Sequence, residues 1–451
     1  MRPDALRGGY LDRFEVPGRP DIYCGLGLLV PFSVIKIMSL RILRLMTAGE
    51  SHGPMLVSIL DGLPAGVPVD IEAIDADLKR RMSGYGRGKR MKIESDRARI
   101  VGGVRRGVTL GSPIAYLIEN KDWPNWEHVM GIAAPTAAEA DSGAVGESGN
   151  TPVQQVDVRR VTRPRPGHAD LAGGLKYDRS DLRDILERAS ARETASRVAA
   201  GGFCKQFLAA LDVQIAAHVL QIGSAAVADG TEIPFETIEQ HAEASAVRCA
   251  DDDASQRMVE VITAASNDLD TLGGVFEVVA RNVPPGLGSH VQWDRKLDAR
   301  LAHAMISIPA MKAMEIGRGV WAAGQPGSAV HDPITFDADS RTYARPSNRA
   351  GGTEGGVTNG AELRVRVYMK PLSTLRKPLA SVDIETGEAI QAVVQRSDVC
   401  AVPAAAVIGE AMLALVLADA CLEKFGGDSL GETQRNWRGF LEQIRQFPPG
   451  R

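Results

Sequence analysis

The sequence of 451 residues is poor in cysteine and in aromatic side chains. Its five cysteines are scattered and form no C-x-x-C pair, which excludes a disulfide framework and a cysteine-based zinc site and indicates a reducing, cytoplasmic setting. Aromatic residues make up 5% of the chain, whereas glycine occurs 47 times. The composition therefore favours loops and close backbone approaches over aromatic stacking platforms.

Excess positive charge and long hydrophobic runs are also missing. The formal net charge of -4 argues against a general nucleic-acid binder. No run approaches membrane-spanning length, so no membrane partner is predicted. The apolar stretch 23–35 follows several acidic residues and precedes no small-residue cleavage site, unlike a signal peptide. We expect residues 1–37 to be an extension that arises from a start codon assigned too early, with Met38 as the true beginning.

With 44% hydrophobic and 24% charged residues, the chain has the composition of a globular protein with an ample core. Alternating and helical hydrophobic patterns predict a mixed α and β fold. We expect one main domain over residues 38–430 and a polar, peripheral tail over residues 431–451. The predicted strands are 38–45, 55–60, 100–104, 114–119, 213–222, 274–283 and 363–369, and the predicted helices are 71–82, 182–211, 297–305 and 404–425.

A stiff loop, Arg163-Pro-Arg-Pro-Gly-His168-Ala-Asp170, holds an imidazole between a cation and a carboxylate, because two prolines fix its backbone. The helical pattern that follows, capped by Asp178 or Ser180, places Arg188, Ser190 and Arg192 on consecutive turns. This combination suits an anionic ligand that must be positioned and protonated. The alternative is an ordinary loop histidine bonded to a neighbouring carboxylate, beside solvated arginines.

Two other stretches combine glycine with chemically active side chains. Gly49-Glu-Ser-His52-Gly53 offers a hydroxyl, an imidazole and a carboxylate for acid and base chemistry between two predicted strands. The basic section 79–92 contains Gly84, Gly86 and Gly88, and favours a mobile lid over a small phosphorylated substrate. Its alternatives are a solvated basic loop or a nucleic-acid patch.

Glycine pairs at 351–352 and 355–356 bring backbone N–H groups near a ligand, as phosphate-binding loops do. They lack the spacing of the dinucleotide-binding and Walker motifs. The segment 133–152, rich in alanine, glycine, serine and acidic residues, predicts a flexible surface loop. Asn120–Trp126 is predicted to be a loop with two exposed tryptophans.

Taken in order, these motifs resemble those of the chorismate synthase family. Each is weak alone, but the ordered set is specific and covers roughly residues 38 to 430. The matching motifs are Gly49-Glu-Ser-His-Gly53, Gly84-Tyr-Gly-Arg-Gly88, Arg165-Pro-Gly-His-Ala-Asp170, Arg188-Ala-Ser-Ala-Arg-Glu-Thr194, Asn348-Arg-Ala-Gly-Gly352, Lys370-Pro-Leu-Ser-Thr374 and Arg396-Ser-Asp398.

The resemblance implies an α+β fold with a single large β-α-β sandwich-like domain, assembled as a cytoplasmic homotetramer. It implies an anti 1,4-elimination of phosphate from 5-enolpyruvylshikimate 3-phosphate that gives chorismate, the last step of the shikimate pathway to aromatic amino acids. The family requires reduced FMN, although the reaction has no net redox change. An external flavin reductase and NADPH as an indirect reductant are the further partners implied.

The resemblance also assigns roles to residues. His52 aids the departing phosphate, His168 stabilises the anionic reduced flavin as an imidazolium, and Asp398, with Ser190 nearby, helps a flavin nitrogen to act as a base. Arg81 and Arg87 match positions associated with a nicotinamide cofactor (NADP) or with the substrate phosphate. The implied FMN contacts are Arg188, Ala189, Ser190, Pro309, Ala310, Gly355, Lys370, Pro371, Leu372, Ser373, Thr374 and Arg396. No metal ligand is implied.

One position departs from many relatives, which carry Asn or Gln where this chain has Pro309. Since proline has neither a side-chain amide nor a backbone N–H, any flavin contact there must come from its carbonyl or from Ala310. Two other function classes stay open at this point. One is a flavin-binding redox protein that has lost elimination activity, and the other is a nucleic-acid-binding protein that uses residues 79–92.

Overall fold

A computed structural model of the chain describes residues 42–88, 95–133, 160–339, 341–392 and 398–448. These residues belong to one compact unit, Leu40–Arg451. Several predictions lie outside the described residues and are not addressed by it. They concern the extension 1–37 and the start at Met38, residues 89–92 of the basic section, the surface segment from 134 to 152, and Arg396.

The first half of the chain builds a four-stranded antiparallel sheet. Its strands are β1 (Arg44–Ala48), β2 (Met55–Asp61), β3 (Arg99–Gly102) and β6 (Ile114–Glu119), in the order β1-β2-β6-β3. Between the last two, β4 (Val104–Arg105) and β5 (Val108–Thr109) form a small hairpin. Buried and exposed residues alternate along β2 and β6, which gives the sheet one face toward the core.

A second, five-stranded antiparallel sheet has the order β10-β15-β9-β7-β8. Its strands are β7 (Gln214–Ile222), β8 (Ala225–Ala226), β9 (Gly274–Arg281), β10 (Met311–Ile316) and β15 (Leu363–Met369). Three two-stranded pairs complete the strands: β11 (Thr335–Asp337) with β12 (Thr342–Ala344), β13 (Thr353–Glu354) with β14 (Val357–Thr358), and β16 (Ala380–Val382) with β17 (Ala389–Gln391).

Helices of very different lengths connect the strands. The long ones are α1 (Ile71–Met82), α3 (Asp170–Tyr177), α5 (Thr194–Ala209), α7 (Asp252–Asn267), α8 (Leu297–Ile306), α11 (Val402–Phe425) and α12 (Leu430–Arg445). The short ones are α2 (Glu127–Met130), α4 (Arg183–Leu186), α6 (Phe235–His241), α9 (Gly319–Ala322) and α10 (Gly327–Val330), with 3-10 turns at Trp123–Asn125, Ala191–Glu193, Ala242–Ala244 and Trp293–Arg295.

The core is a layer of helices between the two sheets. Helix α11 is buried over nearly its whole length and packs against α5, α8 and strands β7 and β9. Helix α5 contacts α1 and β2 on the other side. At their crossing, a Cβ added to Gly201 would lie 2.3 Å from the Cβ of Ala411, so only glycine permits this close approach. The predicted α+β fold with a β-α-β sandwich is confirmed.

Most predicted elements are present. The helix Ile71–Met82 and the strands Ile114–Glu119 and Leu363–Met369 have the predicted bounds, and the other core strands agree within a few residues. The first strand lies later than predicted, at Arg44–Ala48. In these elements, the hydrophobic residues that repeat with the helical or strand period are the residues that face the core.

The predicted helix 182–211 is wrong as a single element. Only Arg183–Leu186 and Thr194–Ala209 are α-helical, and the backbone of Ser190 between them is extended, with φ -67° and ψ 143°. The Ser190 hydroxyl accepts from the Arg192 N–H, a local cap that replaces the helical bond. Asp178 does not cap a helix start; it ends α3 in a left-handed conformation, with φ 54°.

One expectation about apolar segments is corrected, and the C-terminal tail is helical. Helix α11 is long and apolar enough to span a membrane by length and composition, contrary to the sequence reading, but 94% of its apolar window is buried inside the protein. The tail 431–451, expected to be polar and peripheral, contains most of α12, whose residues are mostly exposed or half-buried. Its Trp437 is buried against Phe425, with ring centroids 5.0 Å apart.

Candidate active site

The turn between β1 and β2 presents Ser51 and His52. Gly49 begins this turn at φ 104°, and a Cβ there would lie 2.4 Å from the Met55 carbonyl oxygen. The turn thus requires glycine. The Ser51 N–H donates to the Glu187 carbonyl at 3.0 Å, which attaches the turn to the segment between α4 and α5.

The His52 imidazole is held on its edge and on its face. Its Nδ1 lies 2.7 Å from Oε2 of Glu187, and its backbone N–H donates to the same oxygen at 2.9 Å. Its ring stacks on Trp126, with centroids 3.7 Å apart. Because a carboxylate can only accept, Nδ1 carries the proton of this bond. The ring's other nitrogen, Nε2, lies on the edge opposite this bond.

Arg188 and Ser190 fasten the same turn from the opposite segment. The Arg188 guanidinium donates to the carbonyls of Gly49 and Thr47, each at 2.9 Å. The Ser190 hydroxyl donates to the Ser51 hydroxyl at 3.1 Å. Ala189 stays half-buried between them. The structure therefore brings the two sequence motifs that contain Ser51 and Ser190 into direct contact.

Arg81 and Arg192 share one buried carboxylate, Asp96. Nη2 of Arg81 lies 3.4 Å from Oδ2 of Asp96, and Nη1 of Arg192 pairs with the other oxygen. Arg192 also donates to the Glu119 carbonyl at 3.3 Å. The Arg192 N–H also donates to the Ser190 hydroxyl, which in turn bonds Ser51 of the His52 turn.

His168 is held by a second buried carboxylate, that of Asp170. Nδ1 of His168 lies 2.6 Å from Oδ1 of Asp170, and Nη2 of Arg165 donates to the same oxygen at 3.1 Å. Burial by itself raises the pKa of Asp170, but the hydrogen bonds from His168 and Arg165 outweigh it and hold that pKa well below its usual range. Asp170 therefore stays a carboxylate, and Nε2 of His168 is left for a ligand.

The loop Lys370–Thr374 packs on the His168 loop. Thr374 accepts from Nη1 of Arg165 at 3.0 Å, and the Ser373 hydroxyl donates to the Gly167 carbonyl at 2.8 Å. Lys370 donates to Ser373 at 2.8 Å. Leu372 accepts from the Thr271 hydroxyl through its carbonyl, and Pro371 is exposed.

Pro309 and Ala310 form a tight turn beside this loop. The Met311 N–H donates to the Ile308 carbonyl at 3.2 Å, and Ala310 has φ 70°. Proline at the second turn position and a positive φ at the third are typical of a type II turn, in which glycine is the usual third residue. The Ala310 carbonyl accepts from the Lys370 N–H at 3.0 Å. A non-glycine residue held in this conformation marks a candidate functional position.

Arg87 and Asp398 form a third group. They pair at 2.8 Å, and the Val399 N–H donates to the Gly86 carbonyl at 2.8 Å. Thus Arg81 and Arg87, which were predicted together, pair with different carboxylates. Gly355 is exposed in the turn of the β13–β14 hairpin, with φ 60°.

The sequence did not single out Glu187, Asp96 or Trp126. Trp126 was expected to be exposed, but it is half-buried and stacks on His52. Glu187 had a weak signal, since it immediately precedes the Arg188 motif. Its partner lies 135 residues away in the chain. Among the described residues, no group of three His, Cys, Asp or Glu side chains could hold a metal ion.

Comparison with known proteins gives one consistent result. The sequence model of the chorismate synthase family matches residues 43–422. Chorismate synthase from Symbiobacterium thermophilum is 58% identical over 402 residues, which cover 89% of this chain and 99% of that protein. The enzyme from Geobacter sulfurreducens is 51% identical over 411 residues, covering 90% and 100%.

A solved structure shows the same relationship in three dimensions. The crystal structure of a chorismate synthase is similar with a TM-score of 0.71 and 41% identity, over 91% of this chain and all of that one. Family members are lyases that release phosphate from 5-enolpyruvylshikimate 3-phosphate to form chorismate, and they use reduced flavin. The chain belongs to the chorismate synthase family.

Proposed function

We propose that the chain carries out its family's reaction, the anti 1,4-elimination of phosphate from 5-enolpyruvylshikimate 3-phosphate, with the two histidine loops as its acid and electrostatic groups. The observation that carries this assignment is common to both loops. In each, Nδ1 of a histidine is bonded to a carboxylate that is fully or almost fully buried. This bond fixes the tautomer and orients Nε2 toward a ligand.

The charge around His52 suits the departing phosphate. Arg192 and Arg81 pair with Asp96, the Arg192 N–H donates to Ser190, which bonds Ser51 of the turn, and Arg188 holds the turn's backbone. Guanidinium groups stabilise charge that develops on a phosphate oxygen. We assign His52 the transfer of a proton to that oxygen, and we assign Arg87 or Arg81 a contact with the phosphate or with NADP.

The residues of the second loop fit a flavin phosphate. Burial and the nearby charge of Lys312 lower the pKa of Lys370. Two ammonium groups that disfavour each other's charge are stabilised when an anion binds between them. Lys370, Pro371, Leu372, Ser373 and Thr374, with Pro309 and Ala310, would hold FMN, together with Arg188, Ala189, Ser190, Gly355 and Arg396. Reduced flavin, when bound, supplies electron density to the substrate as phosphate leaves.

His168 and Asp398 complete the proposed site. His168 would stabilise negative charge on the bound flavin through its Nε2 edge, because Asp170 holds the opposite nitrogen. Asp398, with Ser190, would assist removal of the ring proton. Asp398 already accepts from the Gly88 N–H at 2.6 Å, so its carboxylate is fixed in place.

We propose that the protein is a cytoplasmic homotetramer. An external flavin reductase would reduce its FMN, with NADPH as the indirect electron source. The outer face of the four-stranded sheet supports an assembly, since Met46, Val57, Ile59 and Val101 on strands β1, β2 and β3 are 71%, 39%, 42% and 55% exposed. Contiguous apolar patches of this kind mark interaction surfaces. Light scattering coupled to gel filtration measures the mass of the assembly.

The test of the proposed roles is phosphate release from 5-enolpyruvylshikimate 3-phosphate under anaerobic conditions, with FMN reduced by dithionite. Release with reduced FMN, and none with oxidised FMN, is expected. His52→Ala and His168→Ala should each lower turnover by about a hundredfold or more, since acid–base catalysis contributes at least that much. Near-normal turnover in both variants, with folding unchanged, would refute the assigned roles.

A further inference from the structure

The side chain of Glu187 has a single strong partner. It is 1% exposed, and its Oε2 accepts both the backbone N–H and the Nδ1–H of His52. Its Oε1 accepts no hydrogen bond among the described residues, and Nη1 of Arg183 lies 4.0 Å from it. Because a buried carboxylate is costly unless it is paired, the imidazole of His52 supplies the main compensation.

Asp170 offers a contrast within the same protein. Its carboxylate binds His168 at Oδ1, and Arg165 donates to both of its oxygens through Nε and Nη2. An adjacent guanidinium therefore shares the charge of Asp170. Nη1 of Arg183 stays 4.0 Å from Oε1 of Glu187, beyond hydrogen-bond distance, so the charge of Glu187 acts largely on His52.

The rest of the surroundings leaves His52 little freedom. Trp126 stacks on the imidazole face at 3.7 Å, and the guanidinium of Arg183 lies 5.8 Å from the Trp126 ring. The side chain of His52 is 15% exposed. With one face and the Nδ1 edge covered, the Nε2 edge of the ring points away from Glu187.

We propose that Glu187 is the positioning residue of His52: it keeps the proton on Nδ1 and directs Nε2–H at the departing phosphate. This inference rests on the proposed role of His52. As the carbon–oxygen bond to phosphate breaks, its electron pair stays on the phosphate oxygen, and the Nε2 proton moves to that oxygen. His52 is then neutral, with Nδ1–H still donated to Glu187. Water returns a proton to Nε2, and the ring proton of the substrate is lost separately.

A double-mutant cycle tests whether Glu187 acts through His52. Glu187→Gln keeps the size of the side chain and removes its charge, and we expect its kcat to fall about 10- to 100-fold. KM for the substrate and the affinity for FMN should stay within about twofold, because Glu187 touches neither in this arrangement. The matched control is Asp184→Asn, an exposed carboxylate three residues earlier that pairs with Arg179 and should retain full turnover.

The decisive quantity is the coupling between the two positions. If Glu187 acts only through His52, the double variant His52→Ala/Glu187→Gln turns over at the rate of His52→Ala alone. If the double variant instead shows the product of the two single losses in turnover, Glu187 has a separate, structural role and the inference is overturned. Normal turnover of Glu187→Gln beside an impaired His52→Ala would overturn it too. Normal turnover of His52→Ala would instead refute the proposed role of His52 itself.

A second measurement needs no change at Glu187, in case its variants do not fold. Added imidazole should partly restore turnover of His52→Ala, because one N–H can bind Glu187 while the other protonates the phosphate. 1-Methylimidazolium has a single N–H and cannot do both, so it should restore at least tenfold less. Equal rescue by the two compounds, or rescue by neither, would overturn the inference.

Discussion

Nη1 of Arg87 lies 2.8 Å from Oδ2 of Asp398, and Gly88 donates its N–H to the other oxygen. The pair joins the glycine-rich basic loop to the residues that lead into α11. Since Arg87 is proposed to meet a phosphate group or NADP, an arriving anion must compete with Asp398 for the guanidinium.

Asp398→Asn should therefore strengthen the binding of inorganic phosphate. The ion pair is partly exposed, with side chains 11% and 20% accessible, and such pairs contribute about 0.2–1 kcal/mol. Removing the competing charge should lower the dissociation constant of phosphate about two- to fivefold, as measured by titration calorimetry. Asp184→Asn serves as a control and should leave it unchanged. Weaker phosphate binding in Asp398→Asn would contradict the competition.

Asp170→Asn should destabilise the protein strongly at neutral pH. The variant leaves Arg165 without its buried carboxylate, and breaking a buried pair costs about 3 kcal/mol or more. The native pKa of Asp170 is depressed, so its stabilisation is complete above the unfolded value near 4 and is lost as the pH falls through the native value. Urea unfolding should give a gap between wild type and variant at pH 7 that narrows below about pH 4. A gap independent of pH would argue against the ionic origin.

Lys370→Met should weaken the binding of FMN but not of riboflavin, which lacks the phosphate. A hydrogen bond to a charged group contributes about 1.5–3 kcal/mol, so the dissociation constant for FMN should rise at least about tenfold. Flavin fluorescence titration measures both ligands. Lys176→Met, at an exposed lysine on α3, is the control. Equal losses for FMN and riboflavin would place Lys370 away from the phosphate.

Glu410→Gln should be among the more destabilising changes in the helical layer. Glu410 lies within α11, pairs with Arg80 at 2.7 Å and Lys205 at 2.5 Å, and is 1% exposed. Its loss removes the most buried carboxylate that the two cations share, and leaves them Asp77 and, for Arg80, Glu243. We therefore expect a cost of about 3 kcal/mol in the free energy of unfolding. Glu423→Gln on the same helix breaks a pair with Arg300 that is partly exposed, and should cost less than about 1 kcal/mol. Similar costs for both would contradict this ranking.

The sequence predicted correctly the helices and strands that are determined by nearby residues, through hydrophobic periodicity and capping. The helix Ile71–Met82 begins after Asp70, whose carboxylate accepts from two N–H groups, and its apolar residues face the core. The predicted helix through Ser190 failed because a hydroxyl that caps a turn competes with the helical bond, and a hydrophobic pattern does not register that competition.

For the candidate site too, some features could be predicted from the sequence and others could not. Its motifs, with their glycines, prolines and histidines, are visible in the sequence because turns require particular residues at particular positions. The partners of those histidines are only partly visible. Asp170 is two residues from His168, whereas Glu187 and Trp126 reach His52 from distant segments.

The sequence by itself determined the family, the chemistry of the side chains and the loops that present them. Only the tertiary structure decided which carboxylate faces which imidazole and which arginines share Asp96 or meet Asp398. The reason is physical: burial of α5 and α11 between two sheets sets where the loops emerge, and this burial depends on contacts between residues far apart in the chain.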